Sequence, residues 1–253
     1  MSSSVSRRAV LFGASATAAA VASPGLLSSA SAQVPQQSPI NIQPLHAVHS
    51  PELPAVQIHY PATLDLSVRY ESKDKGQPGG CESRTAEETV LAEIPAGAAW
   101  VTLGGVRYDL VNFHFHTLSE HRLDGRHFPL EQHFVHSGPN GEKLVIGLFI
   151  TTGGTGGTLQ DKVLTNVPFE CGEEIHLQHL NLATALPTDL STFRYDGSLT
   201  TSPYTEHVSW LVLKSHRAIL PASLHHFQTR FPSGDSRPVH PLNGRTVKYR
   251  PQH

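Results

Sequence analysis

The 253-residue chain has little cysteine and almost no charge imbalance. It contains two cysteines and no Cys-x-x-Cys pair, which argues against a thiolate zinc site or a redox dithiol. Lysine and arginine number 19 against 21 aspartate and glutamate, so net charge does not suit the chain to bind nucleic acid. Charged residues make up only 16% and hydrophobic residues 38%, which excludes a highly charged disordered chain and favours a folded protein.

A long apolar run is also absent after the first residues, so we expect a soluble mature protein without a membrane span. The beginning of the chain has the pattern of an export signal. Arg7 and Arg8 precede an apolar run over 9–22, and Ala30-Ser31-Ala32 has the small-x-small form of a signal-peptidase site. The arginine pair also resembles a twin-arginine signal. We therefore predict an export signal over 1–32 and one domain over 33–253, located in the periplasm or outside the cell.

The two cysteines, Cys81 and Cys171, would then meet an oxidising compartment. A disulfide between them would close a long loop and would stabilise the fold by about 4–5 kcal/mol if it is unstrained. Sequence does not show whether the two β-carbons meet, so a disulfide and two free thiols fit equally well.

Short strand-like runs separated by Gly, Pro and Asn dominate the chain after the signal. They lie at 64–68, 89–94, 99–103, 108–116, 131–136, 144–150 and 209–213. Helical spacing occurs only at 158–167 and 223–231. The Gly-rich segment 151–157 lacks the Gly-Lys-Ser/Thr ending of a phosphate loop, so we interpret it as a strand-to-helix connection. The pattern predicts a single, mainly β domain with peripheral helices.

Three of the 17 histidines fall on predicted strands in a pattern that suits a metal. Strand alternation places Asn112, His114 and His116 on one face, with apolar residues on the other. The same alternation places Glu131 and His133 together on a second strand. His-x-His alone also fits two polar residues facing solvent. If the two strands are neighbours, however, three histidines converge and leave open the fourth position of a catalytic zinc.

Asn112 and Glu131 each stand two positions before a histidine on the same strand face. A ligating imidazole usually donates its other N–H to an amide, a carboxylate or a carbonyl, which fixes the tautomer. We therefore predict that both residues support the histidine ligands.

Five motifs, in order, span nearly all of residues 36–250. They are Gln37-Ser38-Pro39-Ile40-Asn41-Ile42, Phe113-His114-Phe115-His116 with Ser119-Glu120-His121, Glu131-Gln132-His133-Phe134-Val135-His136, Gly197-Ser198-Leu199-Thr200-Thr201, and Arg237-Pro238 with Pro241-Leu242-Asn243-Gly244-Arg245. Together they resemble the motifs of α-class carbonic anhydrases. The resemblance implies one domain around a large, twisted, mostly antiparallel β-sheet, and reversible hydration of carbon dioxide to bicarbonate and a proton.

The resemblance also implies roles for individual residues. His114, His116 and His133 match zinc ligands, Thr200 matches a gatekeeping hydroxyl, and Glu120 matches the carboxylate that orients it. Zinc lowers the pKa of bound water to about 7, so hydroxide can attack carbon dioxide at neutral pH. The residues that match the substrate pocket are Val135, Val145, Leu199, Thr201 and Trp210, although each apolar one taken singly would also fit an ordinary core position.

The chain departs from the family pattern in several places. Many active members carry a proton-shuttle histidine where Glu88 aligns here, and a free carboxylate with a pKa near 4.3 relays protons poorly at neutral pH. A Tyr/Gly/Trp-rich segment usual before the first motif is missing. Tyr204 stands where exported relatives often have a disulfide cysteine, so that bond cannot be carried over. Asn112 replaces a usual Gln.

Two other functions fit parts of the sequence. A zinc hydrolase acting on esters would use the same hydroxide, as a main or a side activity. A non-catalytic binding module on this fold would be expected to lack a zinc-binding histidine, and all three are present. No sequence feature indicates a particular oligomeric state.

Overall fold

The computed structural model describes residues 34–71, 89–170 and 172–252. The predicted export signal, Glu88, Cys81 and Cys171 lie outside the described residues, so the expectations for them stay predictions. Among the described residues, no helix has the length and apolarity needed to cross a membrane.

Strands are the main elements of the described chain. They are β1 (Asn41–Ile42), β2 (Val48–His49), β3 (Val56–His59), β4 (Leu64–Glu71), β5 (Thr89–Glu93), β6 (Trp100–Leu103), β7 (Val106–His116), β8 (Arg122–Leu123), β9 (Leu130–Ser137), β10 (Lys143–Thr152), β11 (Glu174–Leu180), β12 (Thr192–Ser198), β13 (Glu206–Leu213), β14 (Arg217–Ile219) and β15 (Lys248–Arg250). The helices are α1 (Leu159–Leu164) and α2 (Pro221–Gln228), with short 3-10 turns at Pro44–His46 and Leu182–Thr184.

Thirteen of the described strands form one sheet. Its main path runs β11-β4-β5-β7-β9-β10-β13-β12-β15-β2, and β3, β6 and β14 attach beside it. Most neighbours are antiparallel, while β10 runs parallel to β13 and β14, and β15 runs parallel to β2. The remaining strands, β1 and β8, form a small parallel pair. The predicted fold class, a mainly β domain with a large and mostly antiparallel sheet and few helices, is confirmed.

All seven runs predicted as strands form strands, and the Gly-rich segment connects β10 to α1. Helix α1 begins at Leu159 because Thr158 caps it in a reciprocal capping box with Asp161. Helix α2 begins two residues earlier than predicted, at Pro221, whose fixed φ suits the first helical position. It ends at Gln228, yet Phe231 beyond it is buried as the periodicity required.

The sheet separates two hydrophobic clusters. The larger cluster contains the aromatic side chains of Phe113, Phe115 and Phe134, and the smaller one contains Val145 and Trp210. Strand alternation explains this division, because Phe113 and Phe134 are a cross-strand pair on the face opposite the histidines.

Val111 does not follow the predicted alternation. Alternation from Asn112, His114 and His116 predicts that Val111 is buried on the opposite face with the phenylalanines, but 45% of its surface is exposed. The pairing of β7 with β9 shifts between Leu110 and Asn112, and this irregularity takes Val111 out of the buried row.

One imidazole is buried in the core. His136 on β9 is fully buried, with Nδ1 3.2 Å from the carbonyl oxygen of Leu144 and Nε2 2.7 Å from the hydroxyl of Tyr60. A neutral ring satisfies both contacts, because Nδ1–H donates to the carbonyl and Nε2 accepts from the tyrosine. Burial lowers the pKa of His136 from 6.5 to about 4.

This shift predicts loss of stability in acid. Between pH 6.5 and about 4 the unfolded chain binds a proton at position 136 and the folded chain does not. Lowering the pH through this window should therefore reduce the free energy of unfolding by about 3 kcal/mol through His136 alone. The measurement is urea unfolding of the metal-free protein at several pH values, for the wild type and for His136→Gln.

We expect the difference in unfolding free energy between the two proteins to change with pH across this window. His225→Gln, at an exposed position on α2, serves as the control. Parallel pH curves for the wild type and His136→Gln would contradict the assignment.

Candidate metal centre

Adjacent strands bring the three predicted ligands together. β7 and β9 are antiparallel neighbours, and His114 pairs directly with His133. His116 lies two residues along β7 on the same face. The ring centroids are 5.3 Å apart for His114 and His133, 5.1 Å for His114 and His116, and 4.9 Å for His116 and His133. One ring nitrogen from each histidine lies within 4.8 Å of the other two, which is close enough to share a metal ion.

The other nitrogen of each ring faces an oxygen. Nδ1 of His114 lies 3.1 Å from Oδ1 of Asn112, and Nδ1 of His116 lies 3.2 Å from the carbonyl oxygen of Asp235. Nε2 of His133 lies 3.0 Å from Oε1 of Glu131. In each ring we call the nitrogen that faces an oxygen the outer nitrogen and the one that faces the other two histidines the inner nitrogen. The contacts favour a proton on the outer nitrogen and leave the lone pair of the inner nitrogen available to a metal.

The donor set fits a catalytic zinc ion. Nε2 of His116 is buried and has no hydrogen-bond partner among the described residues, as expected of a nitrogen that awaits a metal. Three imidazoles with no fourth protein ligand in the group are the arrangement of a zinc site with one open position. His121, Glu131 and His133 also cluster, but their polar atoms mainly face each other.

Glu131 is the centre of a buried hydrogen-bond chain. Its Oε2 accepts the backbone N–H of His121 at 2.8 Å, and its Oε1 lies 2.7 Å from Nδ1 of His121. Burial alone would raise the pKa of Glu131, but His121 and His133 outweigh it and hold the pKa well below its usual range. Burial lowers the pKa of His133 in spite of the neighbouring carboxylate. An ionised Glu131 and a neutral His133 are the forms that suit metal ligation.

The chain of hydrogen bonds continues to residues that were not predicted to support the site. Nε2 of His121 lies 2.6 Å from the hydroxyl of Tyr195, which lies 2.8 Å from Oγ of Ser38. The backbone N–H of Ser198 donates to the same Oγ at 3.1 Å. Only one sequence feature could have indicated that these residues support the site. It is the occurrence of Ser38, His121 and Ser198 inside the motifs described above.

Glu120 points its free oxygen toward the histidines. The carboxylate is fully buried, and Oε1 accepts the backbone N–H of Arg237 at 2.9 Å. Oε2 has no hydrogen-bond partner among the described residues and lies 3.6 Å from Nε2 of His116. Thr200 is also buried, with 7% of its surface exposed. The hydrogen bond that would join Thr200 to Glu120 stays a prediction.

The residues predicted to form the substrate pocket lie near the histidines, on β9, β10 and β13 and in the segment after β12. Val135 pairs with Val145 across β9 and β10, and Val145 pairs with Trp210 across β10 and β13. The Trp210 ring centroid lies 4.9 Å from that of His133, and its Nε1 donates to the carbonyl of Ser198 at 2.9 Å. The two remaining pocket residues are Leu199, which packs against the same cluster, and Thr201, which is half-buried.

Asp235 is a buried residue that the sequence analysis missed. Its Oδ1 accepts the backbone N–H of Thr117 at 2.6 Å, and its own N–H donates to the carbonyl of Thr117 at 2.8 Å. Burial raises the pKa of Asp235 to about 7. Burial by itself lowers the pKa of His116. The carboxylates of Glu120 and Asp235 raise it by more, so the pKa of His116 lies above its usual value.

Comparisons with known proteins agree with this geometry. A family model described as eukaryotic-type carbonic anhydrase matches residues 27–251. A carbonic anhydrase of Neisseria gonorrhoeae is 36% identical over 212 residues, which cover 83% of this chain and 76% of the relative. Human carbonic anhydrase 7 is 31% identical, with 86% and 89% covered. The solved α-carbonic anhydrase of Thermovibrio ammonificans, in complex with sulfanilamide, superposes with a TM-score of 0.72 at 32% identity, covering 84% of this chain and 86% of that one.

The hydrogen-bond chain behind His133 can be tested at its far end. Tyr195→Phe removes the hydroxyl that faces Nε2 of His121 and leaves a buried nitrogen without its partner. We expect the free energy of unfolding of the metal-free protein to fall by about 1–3 kcal/mol in urea titrations. Tyr249→Phe is the matched control, because no hydrogen bond of the Tyr249 hydroxyl occurs among the described residues. Equal effects of the two substitutions would argue against the chain.

Proposed function

Because the chain belongs to the eukaryotic-type, or α-class, carbonic anhydrase family and is a carbonic anhydrase, we propose that it interconverts carbon dioxide and bicarbonate at a zinc ion held by His114, His116 and His133. The single observation that supports the zinc site is the convergence of three imidazoles whose outer nitrogens already face oxygen partners. A zinc ion bound there supplies a Lewis acid that makes water nucleophilic at neutral pH.

In this proposal the protein holds the ligands in one state. Asn112, Glu131 and the carbonyl of Asp235 keep the outer ring nitrogens protonated, so each imidazole offers a lone pair inward. The ligands are also anchored in a sheet, which is more rigid than a loop and keeps their separation constant.

Thr200 and Glu120 would orient the nucleophile. An ionised carboxylate only accepts hydrogen bonds, so Glu120 can accept one from the hydroxyl of Thr200. The threonine oxygen is then free to accept a hydrogen bond from the attacking water or hydroxide, and no proton is transferred to it. Among the described residues Oε2 of Glu120 has no hydrogen-bond partner, and this supports the role, since leaving a buried acceptor without a donor lowers stability.

The substrate would lie against the apolar wall. Val135, Val145, Leu199 and Trp210 belong to or pack against one hydrophobic cluster beside the histidines. Such a surface suits an uncharged molecule like carbon dioxide and disfavours the charged product, which must leave. Thr201 would lie at the edge of this pocket.

Proton release would limit the rate. Glu88, the residue proposed at the shuttle position, is a weak relay at neutral pH. We expect stopped-flow hydration of carbon dioxide by zinc-loaded residues 33–253 to be fast, with a maximal rate that rises with the concentration of an imidazole-type buffer. Fast hydration that is indifferent to the buffer would mean that another group carries the proton.

Two variants test the chemistry in the same assay. Thr200→Ala should lower kcat/KM by roughly 100-fold through loss of the orienting hydroxyl, while Thr200→Ser keeps the hydroxyl and should retain most activity. Absence of hydration in the zinc-loaded wild type would contradict the proposed function.

We also propose that the chain is exported, on the evidence of the Arg7-Arg8 pair and the Ala30-Ser31-Ala32 site. Mass spectrometry of the protein expressed in a bacterium with a twin-arginine pathway should find a mature chain that begins at Gln33 outside the cytoplasm. Arg7→Lys with Arg8→Lys should leave the precursor inside. Recovery of intact wild-type chain from the cytoplasm alone would contradict export.

A further inference from the structure

A third buried carboxylate lies behind the histidines. Asp235 is fully buried, as are Glu120 and Glu131. Oδ2 of Asp235 lies 3.8 Å from Nδ1 of His116, and the backbone carbonyl oxygen of Asp235 lies 3.2 Å from the same nitrogen. One residue therefore presents two oxygens to the outer nitrogen of a single proposed ligand.

The carboxylate of Asp235 is only partly compensated. Oδ1 accepts the N–H of Thr117, whereas Oδ2 has no hydrogen-bond partner among the described residues. His116 is the only basic residue in the described chain within ion-pair distance of Asp235. Glu120 adds a repulsive negative charge nearby. A buried carboxylate in these surroundings destabilises the metal-free protein.

A divalent cation would change this balance. Bound at Nε2 of His116, it would lie across the imidazole ring from Asp235 and would attract the carboxylate. It would also draw electron density from the ring and make Nδ1–H a stronger hydrogen-bond donor toward the oxygens of Asp235. The buried charge of Asp235 would therefore destabilise the metal-free protein, whereas its attraction to the cation would stabilise the metal-loaded protein.

We propose that Asp235 is a positioning residue that tightens zinc binding: its carboxylate supplies a negative charge beside the outer nitrogen of His116 that the cation compensates, while the carbonyl of the same residue accepts the hydrogen bond of that nitrogen. This inference rests on the zinc site of the proposed function. It does not make Asp235 a catalytic residue, because it acts through His116.

A structural role for the same side chain makes a different prediction. The contact of Oδ1 with Thr117 links the segment after β7 to the segment around Asp235, and an asparagine keeps an oxygen for that contact. Asp235→Asn therefore removes the charge and the second acceptor while it preserves the link between the two segments.

The test uses two measurements on the metal-free protein at alkaline pH: zinc affinity by competition with a chelator, and the thermal unfolding midpoint without metal. For Asp235→Asn we expect zinc affinity to fall by about 10-fold or more. We expect the metal-free midpoint to stay the same or rise, because a buried charge is removed. Asp196→Asn, at an exposed position on β12, is the matched control and should change neither value.

Each other outcome overturns the inference. Unchanged zinc affinity in Asp235→Asn would show that the carboxylate does not act on the metal. Weaker affinity together with a lower metal-free midpoint, or failure of the variant to fold, would show a structural role instead. Weak zinc binding by the wild type would overturn the proposed function as well, whereas tight wild-type binding with an unchanged variant would overturn only the role of Asp235.

Discussion

The pairing register of β7 and β9 is the constraint on which the metal centre depends. His114 stands opposite His133, and on the other face Phe113 stands opposite Phe134. Because side chains alternate along a strand, a slip of one residue in either strand would send its histidine into the core and its phenylalanine to the site. The two buried phenylalanines therefore hold the ligands in place, since their burial is lost in any shifted register.

The same sheet must also accommodate buried polar groups that serve function more than stability. Glu131 needs room next to His133, and Gly147, paired with His133 on β10, provides it, because a β-carbon at Gly147 would lie 3.0 Å from Oε1 of Glu131. Gly197 likewise leaves room for Ser38, the last residue of the hydrogen-bond chain, because a β-carbon at Gly197 would collide with Oγ of Ser38. The polar network is thus built into the packing, and each buried carboxylate costs stability unless its partners are in place.

Prediction from sequence succeeded where the information is local. The alternation in 111–116 and 131–136 predicted both the strands and, apart from Val111, their faces, and the Gly-rich segment 151–157 predicted the connection from β10 to α1. Several strands were not predicted, among them β3, β11 and β12. The side chains of β11 are mostly exposed because it forms an edge of the sheet, so it lacks a regular apolar pattern, whereas β12 is buried at nearly every position and shows no alternation. Prediction also failed for Val111, because a pairing irregularity depends on both strands at once.

The spacing of residues along the chain is enough to predict which residues share a strand face, to identify three histidines with Asn112 and Glu131 as the candidate metal site, and to indicate the family. The connection from Glu131 through His121 and Tyr195 to Ser38, and the position of Asp235 behind His116, depend on how the strands assemble. Asp235 lies 119 positions after His116 along the chain, and Tyr195 lies 74 after His121. No local pattern signals such a contact, because the neighbours are chosen by the order of strands in the sheet and not by the spacing of residues along any one of them.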